Sequence, residues 1–148
     1  MESSEFPVAD RVGYLVKQLQ HALRARMDDD LERLGLTTAQ YALLSAIEAF
    51  PGSSGADLAR RCFITPQSVN GLMGALEREG LIARTASATH GRILETVLTA
   101  AGQARLARAH GLVIGIERSM LEALSDAQRH ELARMLRQCI AGLTTQAA

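Results

Sequence analysis

The run from Ser54 to Thr99 constrains this chain most, because its hydrophobic period changes from helical to alternating while each boundary carries its own start or stop signal. Ser54 is a helix N-cap with Asp57 three residues on, and Ala56, Leu58, Ala59 and Cys62 follow at spacings that turn inward. The pattern breaks at Phe63 and Ile64. A second start is then marked four ways: Ile64 before the cap, Thr65 as the cap, Pro66 at the first helical position and Val69 one turn further in. From Pro66 the apolar positions Val69, Leu72, Met73 and Leu76 define one buried face. Gln67, Ser68, Asn70, Gly71 and Gly74 are left on or near the other. Gly80 stops the helix.

Beyond Gly80, residues 81–85 and 93–99 alternate as strands around a small polar tip. Two short helices at a tight turn, followed by a hairpin, predict a winged helix-turn-helix. In that arrangement the second helix suits a major groove, and the wing suits the backbone or a minor groove.

The flanks are helical. Apolar residues recur every three or four positions from Val12 to Leu34, with Gly35 as the stop, so a long amphipathic helix is expected over 10–34. Thr37 and Gln40 form a capping box for a helix ending at Pro51-Gly52, with Tyr41, Leu44 and Ile47 on one face. The Ser53-Ser54 step is where winged-helix proteins of this type often add a short third strand. Thr99 caps a helix running through Leu106, Val113, Ile116 and Met120, and Ser125 with Gln128 opens a last one through Leu132, Met135, Leu136, Ile140 and Leu143. These terminal helices carry more apolar positions than they can satisfy between themselves, and Gly111 and Gly115 permit close helix approach. The fold class is therefore mainly α (α+β), a winged helix-turn-helix with long N- and C-terminal dimerisation helices. Residues 1–36 and 100–148 are expected to pair two copies, and residues 37–99 to read DNA. A two-fold dimer addresses two half-sites about one helical turn apart, which calls for a palindromic operator.

The run from Leu58 to Arg84, with a wing ending His90-Gly91-Arg92 and Leu98-Thr99, resembles the multiple-antibiotic-resistance regulator (MarR) family of bacterial transcription factors. That family's wing signature is Asp, any residue, Arg, five residues, then Leu-Thr. Arg92, Leu98 and Thr99 match it, and His90 stands in place of the Asp. The likeness extends from about Asp10 to Leu143. It implies a homodimeric regulator on double-stranded DNA, most often a repressor released by a small ligand. Arg92 is then the wing arginine, for a minor groove or a phosphate. It also implies a small aromatic or phenolic effector in a cleft bordered by Tyr14, His21, Tyr41 and His110; as polar tips of core residues, the same four need no ligand.

Side-chain chemistry nominates the remaining contacts. Gln67, Ser68 and Asn70 can pair with base edges, and Pro66 and Gly71 allow close approach to a groove wall. Thr65, Thr85, Ser87, Thr89 and His90 suit the backbone or the wing, and Arg60, Arg61 and Arg84 suit phosphates. The simpler account of each is a solvated surface residue. His90 offers a pH-sensitive contact or a plain polar wing residue.

Sixteen basic and sixteen acidic residues cancel over 148 residues, so any electrostatic case for DNA is local. Between Ser54 and Thr99 the balance is Arg60, Arg61, Arg78, Arg84 and Arg92 against Asp57, Glu77, Glu79 and Glu95. That near-neutrality keeps open the alternative of a winged helix serving as a protein-interaction module with little DNA binding. Scattered His21, His90, His110 and His130, with no phosphate loop or nucleophile elbow, argue against an enzyme and against a cofactor or metal. Cys62 and Cys139 fit neither a metal spacing nor a disulfide framework, so a cytoplasmic protein is expected. Cys62 beside two arginines suggests a redox switch, but helical phase turns it toward the core. No apolar run spans a bilayer.

Overall fold

A computed structural model of the chain describes residues 7–86 and 94–145. A 3-10 turn at Val8–Asp10 precedes α1 (Val12–Glu32), α2 (Thr38–Ala49), α3 (Gly55–Cys62) and α4 (Pro66–Arg78). Strands β1 (Ile82–Ala86) and β2 (Leu94–Leu98) follow, then α5 (Ala100–Met120) and α6 (Asp126–Thr144). The strands pair antiparallel, Ile82 opposite Leu98 and Ala86 opposite Leu94. The fold is the expected one, helical with a small hairpin.

Local chemistry sets the helix ends. At Thr37, Ser54 and Ser125 the cap hydroxyl accepts the N–H three residues on, and the side chain there accepts the cap's own N–H. Each box satisfies two otherwise orphaned donors. The Thr99 hydroxyl accepts from the Gly102 N–H at 3.0 Å and donates to the Gly80 carbonyl at 2.6 Å, joining the end of α4 to the start of α5. The Leu-Thr step of the wing motif thus closes the reading head rather than offering a DNA contact at Thr99. At the end of α4, Gly80 (φ 71°) donates to Glu77 and Leu81 donates to Leu76, a reversal that favours glycine. Phe63 (φ 56°) makes the same reversal at the end of α3, with a full side chain.

The residues form two compact units, Met1–Val113 and Ile114–Ala148, with the boundary inside α5. In the first, Leu31, Leu43, Leu44, Leu58, Leu76, Leu81, Ile82, Leu106 and Val69 are fully buried. They bring α1's last turn, α2, α3, α4, β1 and α5 into one aliphatic cluster. Each fully buried side chain of this size contributes on the order of 1.5–3 kcal/mol, so the cluster is what holds α4 in place. Gly102 lies against the chain with no room for a side chain: a Cβ there would lie 2.0 Å from the Leu81 carbonyl oxygen. In the second unit the Ser125 box opens α6, and Arg129 Nε donates to the Leu124 carbonyl at 3.0 Å. No residue of α6 is buried.

Three expectations change. The first long helix begins at Val12, because Arg11 is extended (φ −70°, ψ 130°) and separates it from the turn at Val8–Asp10. The third strand does not form among the described residues, where the sheet has two strands. Ser53 instead folds back, its N–H and hydroxyl both donating to the Phe50 carbonyl, while Ser54 is spent on capping α3. Ala56 is exposed, so the inward face of α3 is Leu58, Ala59 and half-buried Cys62.

Candidate nucleic-acid interface

The helix-turn-helix is α3, the Phe63–Thr65 turn and α4. Burial of Val69, Met73 and Leu76 fixes the rotation of α4 and leaves Thr65, Pro66, Gln67, Ser68, Asn70 and Gly71 all exposed. They form one continuous outward surface over the first two turns. The Thr65 hydroxyl accepts from the Ser68 N–H at 3.1 Å and donates to the Ser68 hydroxyl at 2.9 Å, so that pair is already engaged. The Gln67 and Asn70 amides make no side-chain hydrogen bond among the described residues, which leaves donors and acceptors for a base edge. A Cβ on Gly71 would meet nothing within 4 Å; its value is the open surface it leaves.

The basic candidates divide by partner. Arg60 pairs with Asp57, and Arg84 Nε lies 3.6 Å from the Glu77 carboxylate. Arg61 instead lies over the Phe50 ring, 3.5 Å from its centroid. Asp57 accepts from the Ser54 hydroxyl and N–H, and those bonds, with Arg60, hold its carboxyl below the usual carboxylate range. Thr85 is exposed on β1. Ser87, Thr89, His90 and Arg92 lie outside the described residues.

Burial raises the Cys62 thiol, which disfavours the thiolate a redox switch needs. Cys139 is exposed on α6.

Of the effector candidates, Tyr41 and His110 come together. The Tyr41 hydroxyl is 3.0 Å from His110 Nδ1, with the rings edge to face, and His110 Nε2 is 2.9 Å from a Glu48 carboxylate oxygen. A carboxylate only accepts, so Nε2 carries the proton, and in the neutral ring Nδ1 accepts from the tyrosine. Glu48 is the member that sequence reasoning missed; its seven-residue spacing from Tyr41, two helical turns, was the available signal. Glu48 also borders a recess of about 360 Å³ with Ile47, Pro51, Thr96, Val97, Leu98 and Gln103. Tyr14 and His21 stay apart from this chain of bonds, exposed on α1.

A family profile described as MarR family matches residues 34–93, from the end of α1 into the wing. The chain is 38% identical over 125 residues to the HTH-type transcriptional repressor Rv2887 of Mycobacterium tuberculosis, covering 84% of this chain and 90% of that protein. The chain belongs to the MarR family. Two solved structures extend the likeness. The M. tuberculosis MarR family protein Rv2887 in complex with salicylic acid superposes with a TM-score of 0.74 at 36% identity, covering 89% of this chain and 99% of that one. The same protein in complex with DNA gives a TM-score of 0.73 at 32% identity, covering 87% and 97%. The MarR fold accounts for the sequence signature as it stands here: Leu98 pairs across the hairpin, and Thr99 locks α5 to α4.

Proposed function

We propose that this MarR-family chain is a sequence-specific DNA-binding transcriptional repressor that works as a homodimer on a palindromic operator and is released by a small aromatic or phenolic ligand. The observation that carries the reading is α4, held by a buried aliphatic core with Thr65, Pro66, Gln67, Ser68, Asn70 and Gly71 facing outward. Residues 37–99 read the DNA, with Arg60, Arg61, Arg84 and Thr85 as backbone contacts. Ser87, Thr89, His90 and Arg92 of the wing tip complete the set. Residues 1–36 and 100–148 pair the two copies, since Val12, Leu15 and Leu19 on α1 and Ile140 and Leu143 on α6 are exposed apolar side chains in the single chain. The repressor Rv2887, similar over most of both chains, supports the direction of regulation.

The effector site in this reading is the Tyr41–His110–Glu48 chain, with Tyr14 and His21 as further candidates. Rv2887 has been solved with salicylic acid, a phenol of the expected class. Occupancy shifts the population toward dimers whose two α4 helices no longer fit the half-site spacing. Action on chromosomal DNA makes the protein cytoplasmic; no described helix is long and apolar enough to cross a membrane. No catalytic step, cofactor or metal enters the reading.

One observation favours the alternative of a protein-interaction module: Asp57 and Glu77 each occupy an arginine that a phosphate would otherwise take. Selection of bound duplexes from a random library, followed by affinity at several salt concentrations, separates the two. A palindrome bound with steep salt dependence, and weakened by salicylic acid, is the expected result. No enrichment and flat, weak binding would favour the alternative.

A further inference from the structure

We infer that Phe50 and Arg61 form a preassembled phosphate clamp at the edge of the reading head, in which Phe50 positions the Arg61 guanidinium for the DNA backbone. The inference rests on the DNA-binding reading and names a residue of α2's end that the helix-turn-helix itself does not contain. Its basis is the difference among the three arginines nominated for phosphates, Arg60, Arg61 and Arg84; Arg78, at the far end of α4, also makes no ion pair among the described residues but lies over no ring there. Arg60 and Arg84 each face a carboxylate, so a phosphate must displace an existing partner. Arg61 makes no ion pair among the described residues, and its one close partner is an uncharged ring. Its positive charge is not offset by a bonded carboxylate.

The geometry suits the purpose. An aromatic face takes the flat side of a guanidinium and leaves the N–H edge, which is the part that grips two phosphate oxygens, pointing away. Stacking also removes rotamer freedom that a free arginine loses on binding. The backbone that carries the ring is held, since the Phe50 N–H donates to the Ala46 carbonyl at 2.9 Å and its carbonyl accepts from the Ser53 N–H at 3.3 Å and hydroxyl at 2.8 Å. The same Ser53 bonds that displaced the expected strand therefore anchor the clamp. Phe50 is 43% exposed, so the core is not what keeps an aromatic there. Arg61 stands in the last turn of α3, four residues before the Thr65 cap of α4, on the element that enters the turn leading to the proposed groove-reading helix.

The test is affinity against salt concentration for the full chain with two probes, the selected operator duplex and a duplex of unrelated sequence, because a phosphate contact is blind to sequence. Arg61→Ala should weaken both and lower the magnitude of the log–log salt slope by about 0.9 for each half-site. Phe50→Ala should weaken both several-fold, and Phe50→Tyr should restore binding. In an Arg61→Ala background Phe50→Ala should cost nothing further, which a merely structural Phe50 would not show. An unchanged slope in Arg61→Ala, or an equal cost of Phe50→Ala in both backgrounds, would overturn the clamp while leaving DNA binding intact. Failure of the unmodified chain to bind either duplex would overturn the DNA reading, and the clamp with it.

Discussion

The reading head and the last helix are written in the same sequence language and end in opposite states. Both carry capping boxes, and both repeat apolar residues every three or four positions. In the head that pattern closes on itself: Leu58, Val69 and Leu76 are fully buried. On α6 it stays mostly open, with Leu132 half-buried but Ile140 61% and Leu143 82% exposed. Periodicity therefore says which face of a helix is apolar, and leaves open whether its cover comes from the same chain. An exposed face that size is the physical case for a second copy.

The comparison breaks most visibly in the head. Leu58→Ala leaves a cavity in a cluster with no slack and should cost about 2–5 kcal/mol in urea unfolding monitored by circular dichroism. Gly102→Ala should come next, at about 3 kcal/mol, because the added carbon meets the Leu81 backbone oxygen rather than a side chain that can swing away. A loss within the usual ±0.5 kcal/mol of surface substitutions would mean that α5 joins the head more loosely than Thr99 and Gly102 imply.

On α6 the same experiment should read out as association. Ile140→Glu should leave the fold intact and weaken self-association about 30-fold, equivalent to about 2 kcal/mol for a polar group pressed into an apolar contact. Light scattering against concentration measures it. A monomer before and after the change would remove the proposed dimer, and with it the expectation of a palindrome.

What could be read in the sequence, and what could not, follows the same division. Caps and stops at Thr37, Ser54, Thr65, Gly80 and Ser125 were legible because the chemistry that sets them lies within four residues. The outward face of α4 was legible because Pro66 and Thr65 fix its phase. Phe50 beneath Arg61 was not, and of the Tyr41–His110–Glu48 chain only the Tyr41–Glu48 spacing was local, since the contacts themselves join separate elements through packing that no local rule encodes. The strand expected at Ser53-Ser54 failed for a related reason. Ser53 and Ser54 had nearer partners, in the Phe50 carbonyl and the α3 cap.

Phe63 sharpens the contrast from the other side, because there the head departs from what stability alone would choose. It is 94% exposed and left-handed at φ 56°, in the reversal that Gly80 makes without a side chain. Left-handed backbone costs a side-chain-bearing residue about 1–2 kcal/mol, offset in part by glycine's greater freedom when unfolded. Phe63→Gly should therefore stabilise the chain by about 1 kcal/mol. A loss of stability would show that the ring makes a contact its exposure does not reveal.

The smallest expected effect tests whether the caps matter to the head at all, and pH isolates it. Asp57 closes the α3 capping box, and its bonds from Ser54, with Arg60 beside it, lower its carboxyl pKa in the folded chain. A depressed folded pKa means that the stabilisation is complete above the unfolded value, about 4, and is withdrawn as pH falls through the lower folded value. Asp57→Asn keeps the shape and cannot titrate. The difference in urea midpoint between the parent and Asp57→Asn should thus be constant from neutral pH down to about 5, then shrink toward pH 2. Asp28, held low by the Thr38 hydroxyl, contributes its own acid dependence equally to both proteins and cancels in the difference. A difference that grew on acidification would mean that the folded head raises the Asp57 pKa. The Ser54 bonds would then not be what orders the start of α3, and the entry to the helix-turn-helix would rest on the Leu58 and Ala59 contacts alone.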